Sequence, residues 1–375
     1  MRFEFSTAAR IVFGPGTLSQ LADIVREFGG QRPLVVAGRH GARFPGLAGA
    51  STFSIAGEPT VDVVRQGTEA ARSCDMVIAM GGGSVIDGAK AIAALATNPG
   101  DPLDYLEVIG KAQPIRVRPL PFIAIPTTAG TGSEVTRNAV LGSPEHGVKA
   151  SLRSAMMLAK AAIVDPDLTR DLPPDLTAST GLDALTQLIE PYVSPRANPI
   201  TDAFCRDGIK RAAVHLPRAY ANGDDAEARE NMSLASLLGG FALANAGLGV
   251  VHGFAAPIGG MFEAPHGAVC AALLPHGMNA NIHALRERAP QHVSLDRYRE
   301  IARILTGDPD AIPEDGVEWV AQLCRKLAIR PLSAYGIAER HIADLVGKAA
   351  QASSMKANPI VLTGGELTEV VEQAM

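Results

Sequence analysis

The chain has 375 residues, of which 47 % are hydrophobic and 19 % charged, and its formal net charge is −5. This composition supports a large buried core and excludes intrinsic disorder as the main state. Because no run of lysine or arginine interrupts the slight acidic excess, we expect neither nucleic acid nor a membrane as a partner.

The first part of the chain predicts short strands that alternate with helices. The predicted strands, each a short apolar run, are residues 33–38, 75–80, 122–125 and 162–164. Residues 85–96 are rich in alanine, isoleucine and leucine and predict a packed helix. This alternation predicts an α/β domain with a parallel sheet, in which ligands bind at the carboxyl ends of the strands.

After Asp165 the sequence becomes rich in alanine and leucine, and long amphipathic segments predict an all-helical region. The predicted helices are residues 176–192, 199–221, 225–246, 295–305, 316–327 and 338–352. We therefore predict two domains, an α/β domain over residues 1–165 and an all-helical domain over residues 166–375.

The cysteines and the apolar segments indicate a cytoplasmic protein. The four cysteines are far apart and form no CxxC pair, which favours free thiols in a reducing compartment. The N-terminus lacks the apolar core of a signal peptide. The most apolar later stretch, from Met232 to Val251, is interrupted by glycine and polar residues and predicts a buried core helix.

A glycine-rich turn separates the strand at 75–80 from the helix that follows it. Its sequence is Gly81-Gly82-Gly83-Ser84. Glycines let a ligand approach the backbone, and a helix N-terminus attracts a phosphate, although a tight turn alone explains the glycines equally well. Asp87, one turn into the helix, is a favourable first-turn carboxylate that either holds the loop or contacts a ribose.

A hydroxyl-rich loop follows the strand at 122–125. Residues 126–134 contain Thr127, Thr128, Thr131 and Ser133. One hydroxyl is enough to cap a helix, so this surplus favours contacts with a pyrophosphate or ribose.

A carboxylate and two imidazoles in the helical region form a candidate metal site. Asp183 and Gln187 are one helical turn apart and share a face. His252 and His266 would be about 21 Å apart on one continuous helix, but two glycines and a proline between them allow the chain to fold back. A metal held here would polarise a substrate oxygen; otherwise the residues are unrelated.

Together these segments resemble the iron-containing alcohol dehydrogenase family, whose wider superfamily includes glycerol dehydrogenases and dehydroquinate synthases. The motifs that carry the resemblance are residues 11–16, 81–90, 126–134, 164–169, 181–190, 252–276 and 353–359. They extend over nearly the whole chain.

The resemblance implies an oxidoreductase that transfers a hydride between NAD(P) and the carbonyl or alcohol carbon of a small molecule. It also implies an α/β nucleotide-binding domain, a helical metal and substrate domain, and a homodimer. The implied cofactor contacts are Gly82, Gly83 and Ser84 with the pyrophosphate, Thr127, Thr128, Thr131 and Ser133 along the nucleotide, and Lys160 with the ribose or nicotinamide.

The chain departs from the family at its metal site, which uses one aspartate and three histidines. Asp183, His252 and His266 match three of these ligands, but Gln187 occupies the fourth position and Ala256 replaces a further histidine. An amide oxygen is a poor substitute for imidazole on iron or zinc. Either three residues hold the metal, or the enzyme works without it and His252 or His266 donates the proton.

The choice between NAD and NADP stays open in the sequence. Family members selective for NAD often carry an aspartate where this chain has Gly38, followed by Arg39. Without that carboxylate a 2′-phosphate is tolerated, and Arg39 is able to pair with it.

Arg137 and Lys356 are candidate ligands of a dicarboxylate substrate such as maleylacetate, or else surface or structural ion-pair residues. Phe254 is a candidate wall of an apolar substrate pocket, or else a core residue. Maleylacetate reductases resemble this chain and need no metal, so a metal-independent reductase is the main alternative. A dehydroquinate-synthase-like lyase and a non-catalytic nucleotide-binding protein are further alternatives.

Overall fold

Parallel strand pairing organises the first part of the chain. The computed structural model describes residues 2–39, 47 and 49–375. The strands are β1 Ile11–Phe13, β2 Pro33–Ala37, β3 Ser51–Ser54, β4 Met76–Gly81, β5 Phe122–Pro126, β6 Asn138–Ser143, β7 Val148–Arg153 and β8 Ala161–Val164. The helices are α1 Leu21–Glu27, α2 Val61–Ala71, α3 Gly83–Leu95, α4 Pro102–Tyr105, α5 Pro174–Val193, α6 Pro199–Ala221, α7 Ala226–Ala246, α8 Val250–Met261, α9 His266–Arg288, α10 Val293–Thr306, α11 Pro313–Lys326, α12 Ile342–Gln351 and α13 Gly364–Gln373.

Six strands form a parallel sheet in the order β1-β8-β5-β4-β2-β3. The predicted strands correspond to β2, β4, β5 and β8, whose residues are almost all buried and therefore form continuous apolar runs. The edge strands β1 and β3 were not predicted, because they are short and only partly buried. The antiparallel hairpin of β6 and β7 was also missed.

The second part of the chain is helical, as predicted, and the expected fold class is confirmed. Its core surrounds α5, whose Leu182, Leu185 and Leu188 are fully buried. Helix α6 has the predicted bounds, whereas α8, α9 and α13 were not predicted as helices.

Contacts between residues divide the chain into two units. The α/β unit contains Phe5–Thr128 and Gly132–Arg170, and the helical unit contains Ala129–Thr131, Asp171–Met375 and the N-terminal residues up to Glu4. This division falls after Arg170 and assigns Ala129–Thr131 to the helical unit, and the domain boundary after residue 165 stays a prediction.

In the described part of the chain, no single helix is long and apolar enough to cross a membrane. Helices α7 and α8 reach the required length and composition only as a pair, and they meet at an angle of 98°. The stretch predicted as one core helix, Met232 to Val251, is thus divided between two helices.

A buried lysine fixes the loop that follows β5. Lys90, on α3, is 1 % exposed, and its Nζ lies 3.5 Å from Asp87 Oδ1. The same Nζ donates hydrogen bonds to the carbonyl oxygens of Ser133 and Asn138 at 2.8 and 2.7 Å. Burial lowers the pKa of Lys90 and raises that of Asp87, and their mutual attraction opposes both shifts.

Lys90→Met should destabilise the protein by about 3–5 kcal/mol, because it leaves the Asp87 carboxylate buried without a counter-ion. Chemical denaturation measures this change. Asp87→Asn in the same chain should recover part of the loss. Lys348→Met, which removes the exposed ion pair with Asp344, should cost less than about 1 kcal/mol. Equal losses for Lys90→Met and Lys348→Met would contradict this account.

Candidate active site and metal centre

The glycine turn and the first residues of the hydroxyl-rich loop, up to Thr128, lie side by side in the α/β unit. They follow β4 and β5, which are adjacent parallel strands, and Thr127 N donates to the carbonyl oxygen of Gly81 at 3.0 Å. Gly82 precedes α3 and has no side chain to accept hydrogen bonds from the first helical amides. These amides are therefore available for a phosphate. The partly accessible residues here are Gly82, Gly83, Ser84, Thr127 and Thr128.

Two further residues predicted to bind the cofactor, Asp87 and Ser133, are buried and take part in hydrogen bonds within the protein. Asp87 is 8 % exposed, and its Oδ2 accepts a hydrogen bond from Val140 N at 3.0 Å. Asp87 is therefore hydrogen-bonded to β6, and its contact with a ribose stays a prediction. Ser133 is 7 % exposed, and its carbonyl accepts from Lys90, whereas Thr131 is partly accessible.

The position of Lys160 corrects the prediction that it contacts the ribose or nicotinamide. Lys160 precedes β8, and its backbone nitrogen donates to the carbonyl oxygen of Phe122 at 2.8 Å. It lines a cavity of about 380 Å³ together with residues 118–122, before β5. This cavity is at the amino ends of the strands, opposite the glycine turn.

Gly38 and Arg39 follow β2, which pairs with β4 in the sheet. Ala37 is in register with Met80, so Gly38 and Arg39 leave the sheet at the same edge as the glycine turn. Arg39 is exposed and Gly38 is partly accessible. This position suits contact with the ribose end of a dinucleotide bound at the glycine turn.

The helical unit brings four ligand groups together. One ligand atom each from Asp183, His252, His266 and Cys270 lies within 4.8 Å of every other. Asp183 Oδ1 is 3.3 Å from His252 Nε2 and 3.7 Å from His266 Nε2. Asp183 and both histidines thus share one site, as the metal hypothesis requires.

A close helix contact positions His266. The chain reverses between α8 and α9, so the histidine rings are 5.4 Å apart between centroids. The next residue, Gly267, lies against α5: a Cβ there would be 2.6 Å from the Ser179 carbonyl oxygen. Only glycine permits this approach, which places His266 beside Asp183.

Glu190 orients His252. Glu190 Oε2 is 2.7 Å from His252 Nδ1, and its other oxygen accepts from Val251 N, also at 2.7 Å. A carboxylate only accepts hydrogen bonds, so Nδ1 carries the proton. In the neutral ring, the lone pair of Nε2 then faces Asp183, as a metal-ligating histidine requires.

The charges in the site oppose the effect of burial. Burial disfavours charge on His266, but the attraction of Cys270 and Asp183 raises its pKa to about 9. Burial acts in the same way on His252, yet Cys270 and Glu190 hold its pKa well above the usual value. Burial would raise the pKa of Asp183, but the two histidines lower it. The site therefore attracts positive charge.

Among the buried oxygens of the described structure that lack a hydrogen bond, two lie on α5. They are Asp183 Oδ1 and Gln187 Oε1, on successive turns of α5. An unpaired buried acceptor is costly, and a cation would satisfy it. The residues present therefore fit a divalent metal.

The predicted substrate residues have different surroundings. Phe254 is 0 % exposed and belongs to the helical core, which is the alternative to a pocket wall. Lys356 is exposed in a turn whose Met355 contacts α8 at Gly253. Arg137, in the α/β unit, is partly accessible, and its carbonyl accepts from Ser154 N.

Sequence reasoning missed Cys270 and the role of Glu190. The spacing of both residues along their helices could have identified them. Glu190 is two turns after Asp183 and Cys270 is one turn after His266, so each shares a helix face with a candidate ligand. Cys270 was assigned to the free buried thiols, and its proximity to His252 depends on the reversal between α8 and α9.

Both parts of the chain match known sequence families. Residues 8–166 match the family described as iron-containing alcohol dehydrogenase, and residues 177–375 match the C-terminal part of the Fe-containing alcohol dehydrogenase family.

Named relatives and a solved structure agree with these matches. Alcohol dehydrogenase 4 of Schizosaccharomyces pombe is 40 % identical over 84 % of this chain and 73 % of its own length. NAD-dependent methanol dehydrogenase of Bacillus methanolicus is 32 % identical over 97 % of each chain. The crystal structure of a 1,3-propanediol oxidoreductase superimposes with a TM-score of 0.91 at 31 % identity, covering 100 % of both chains.

Glu190→Gln should lower divalent-metal affinity by about 10–100-fold, the usual effect of losing such a hydrogen bond to a ligand. The amide would donate to His252 Nδ1, so that the proton moves to Nε2 and blocks the ligand atom. Titration of metal-free protein with zinc measures this. Glu263→Gln removes an exposed carboxylate close to His266 in the chain and should change affinity little. Equal affinity in wild type and Glu190→Gln would contradict the assigned role.

Proposed function

Since the chain belongs to the iron-containing alcohol dehydrogenase family, as an oxidoreductase that interconverts alcohols and carbonyl compounds, we propose that it uses NAD(H) and a divalent metal held by Asp183, His252 and His266. NAD use is supported by the printed name of the Bacillus methanolicus relative and by the phosphate-binding features after β4 and β5. The relatives' names favour small alcohols and aldehydes as substrates.

The observation that carries the metal proposal is the convergence of Asp183 Oδ1, His252 Nε2 and His266 Nε2 within 4.8 Å. They come from three helices and share one unpaired buried carboxylate oxygen. A bound divalent metal would supply Lewis-acid polarisation of the substrate oxygen.

The protein's own residues hold and orient the reactants. Glu190 keeps Nε2 of His252 directed at Asp183. His266 has a side chain 38 % exposed, compared with 2 % for Asp183, and marks the accessible side of the site. The amides after Gly82 and the hydroxyls of Thr127 and Thr128 bind the dinucleotide phosphates.

Lys356 and Arg137 remain candidates for a carboxylate-bearing substrate. Lys356 is supported by its exposure and by the contact of its neighbour Met355 with Gly253, next to His252. The homodimer also remains a proposal, which light scattering after size-exclusion chromatography checks.

The direct test is NADH oxidation with a panel of small aldehydes and maleylacetate. Chelator-treated protein should lose turnover, and added zinc or iron(II) should restore it. Asp183→Asn should lower kcat/KM at least about 100-fold with metal present, because it removes the charged ligand. The control Asp175→Asn changes an exposed carboxylate in the first turn of the same helix and should retain activity.

Full turnover by metal-free protein would contradict the metal proposal and favour the metal-independent reductase. NADH binding without oxidation under any metal condition would favour the non-catalytic protein.

Arg39→Gln should raise the KM for NADPH at least about tenfold, because it removes a charge-assisted hydrogen bond to the 2′-phosphate. The KM for NADH should change little. Steady-state kinetics with NADH and with NADPH measures the two KM values. Arg32→Gln, an exposed arginine before β2 at the opposite end of the strand, is the matched control. An equal change in the KM for NADH and the KM for NADPH would show that Arg39 does not discriminate between the two cofactors.

A further inference from the structure

We propose that the Cys270 thiolate is the fourth protein ligand of the metal, in place of the imidazole that Gln187 does not supply, and that the site prefers zinc to iron(II). This inference rests on the proposed function for the presence of a metal. To the proposed function it adds a fourth ligand residue and a preferred metal.

The distances within the cluster match the edges of a zinc coordination tetrahedron. Zinc bond lengths place nitrogen and oxygen ligands about 3.3 Å apart and nitrogen and sulfur ligands about 3.6 Å apart. Asp183 Oδ1 is 3.3 Å from His252 Nε2 and 3.7 Å from His266 Nε2, the second being longer than the ideal edge. Cys270 Sγ is 3.8 Å from His252 Nε2 and 3.7 Å from His266 Nε2. One ion would therefore reach these ligand atoms with little movement.

Helical geometry gives Cys270 a fixed place in the site. It is one turn after His266 on α9, so both residues face α5 and α8. Cys270 is 0 % exposed and forms no disulfide. The need to bury a thiol does not by itself explain why Cys270 lies beside the histidines. Cys205 is equally buried, but it lies in the hydrophobic core outside the cluster.

Ligand chemistry supports zinc. Thiolate and imidazole ligands together suit zinc, whereas the side-chain amide of Gln187 is a weak ligand for it. The charges also balance, because Asp183 and the Cys270 thiolate offset the two positive charges of the ion. Metal binding releases the thiol proton to solvent. A substrate oxygen can still add as a fifth ligand.

X-ray absorption at the zinc edge, on full-length protein loaded with one equivalent of zinc, tests the ligand directly. A single sulfur scatterer at about 2.3 Å is expected, together with nitrogen and oxygen at about 2.0 Å. Cobalt-loaded protein should show a sulfur-to-cobalt charge-transfer band in the near ultraviolet. Both readouts are independent of catalytic turnover and of any variant.

Cys270→Ser should abolish the sulfur signal and lower zinc affinity at least about tenfold, with a smaller loss for iron(II). Cys324→Ser is the matched control, because its partly buried thiol donates to the Ala271 carbonyl and lies outside the cluster. Adding Gln187→His to Cys270→Ser should restore a fourth ligand and move the preference towards iron(II).

The outcomes separate this inference from the proposed function. Stoichiometric zinc with no sulfur neighbour would overturn the ligand role of Cys270 and leave the metal-dependent reaction intact. A sulfur neighbour with equal affinity for zinc and iron(II) would overturn the metal preference alone. Failure to bind any divalent metal, with turnover retained, would overturn the metal part of the proposed function as well.

Discussion

The candidate metal site depends on the close approach of α9 to α5 at Gly267. A methyl group at that position would be 2.6 Å from the backbone oxygen of Ser179, so no other residue permits the contact without moving a helix. The approach brings His266 and Cys270 beside Asp183. It requires the chain to reverse after α8, which also brings the ring of His252 to 5.4 Å from that of His266 between centroids.

A second constraint fixes the start of α8. The first amides of this helix donate to side chains: Val250 N to Asn358 and Val251 N to Glu190. Asn358 is held in turn by Asn281. Glu190 therefore satisfies a helix end and orients His252 at the same time, which links the stability of the helical core to the geometry of the site.

Local patterns in the sequence were enough to predict the central strands and most helices, and they singled out three residues that the structure brings together in the candidate metal site. Buried strands such as β4 appear as apolar runs, and α6 begins at a proline after an asparagine cap. The edge strands β1 and β3 carry no such signal. The proximity of Cys270 to His252 depends on which helix faces meet, and spacing along the chain does not encode this. Lys160, by contrast, directly precedes the predicted strand at 162–164, so its place at the amino end of that strand follows from the sequence.

The central claim is that Asp183, His252, His266 and Cys270 bind one metal ion. Anomalous diffraction at the zinc edge, from crystals of zinc-loaded protein, tests it most directly. The account predicts one anomalous peak within about 2.0–2.3 Å of the four ligand atoms. Fully loaded protein with its anomalous peak elsewhere, or with no peak between these residues, would contradict it.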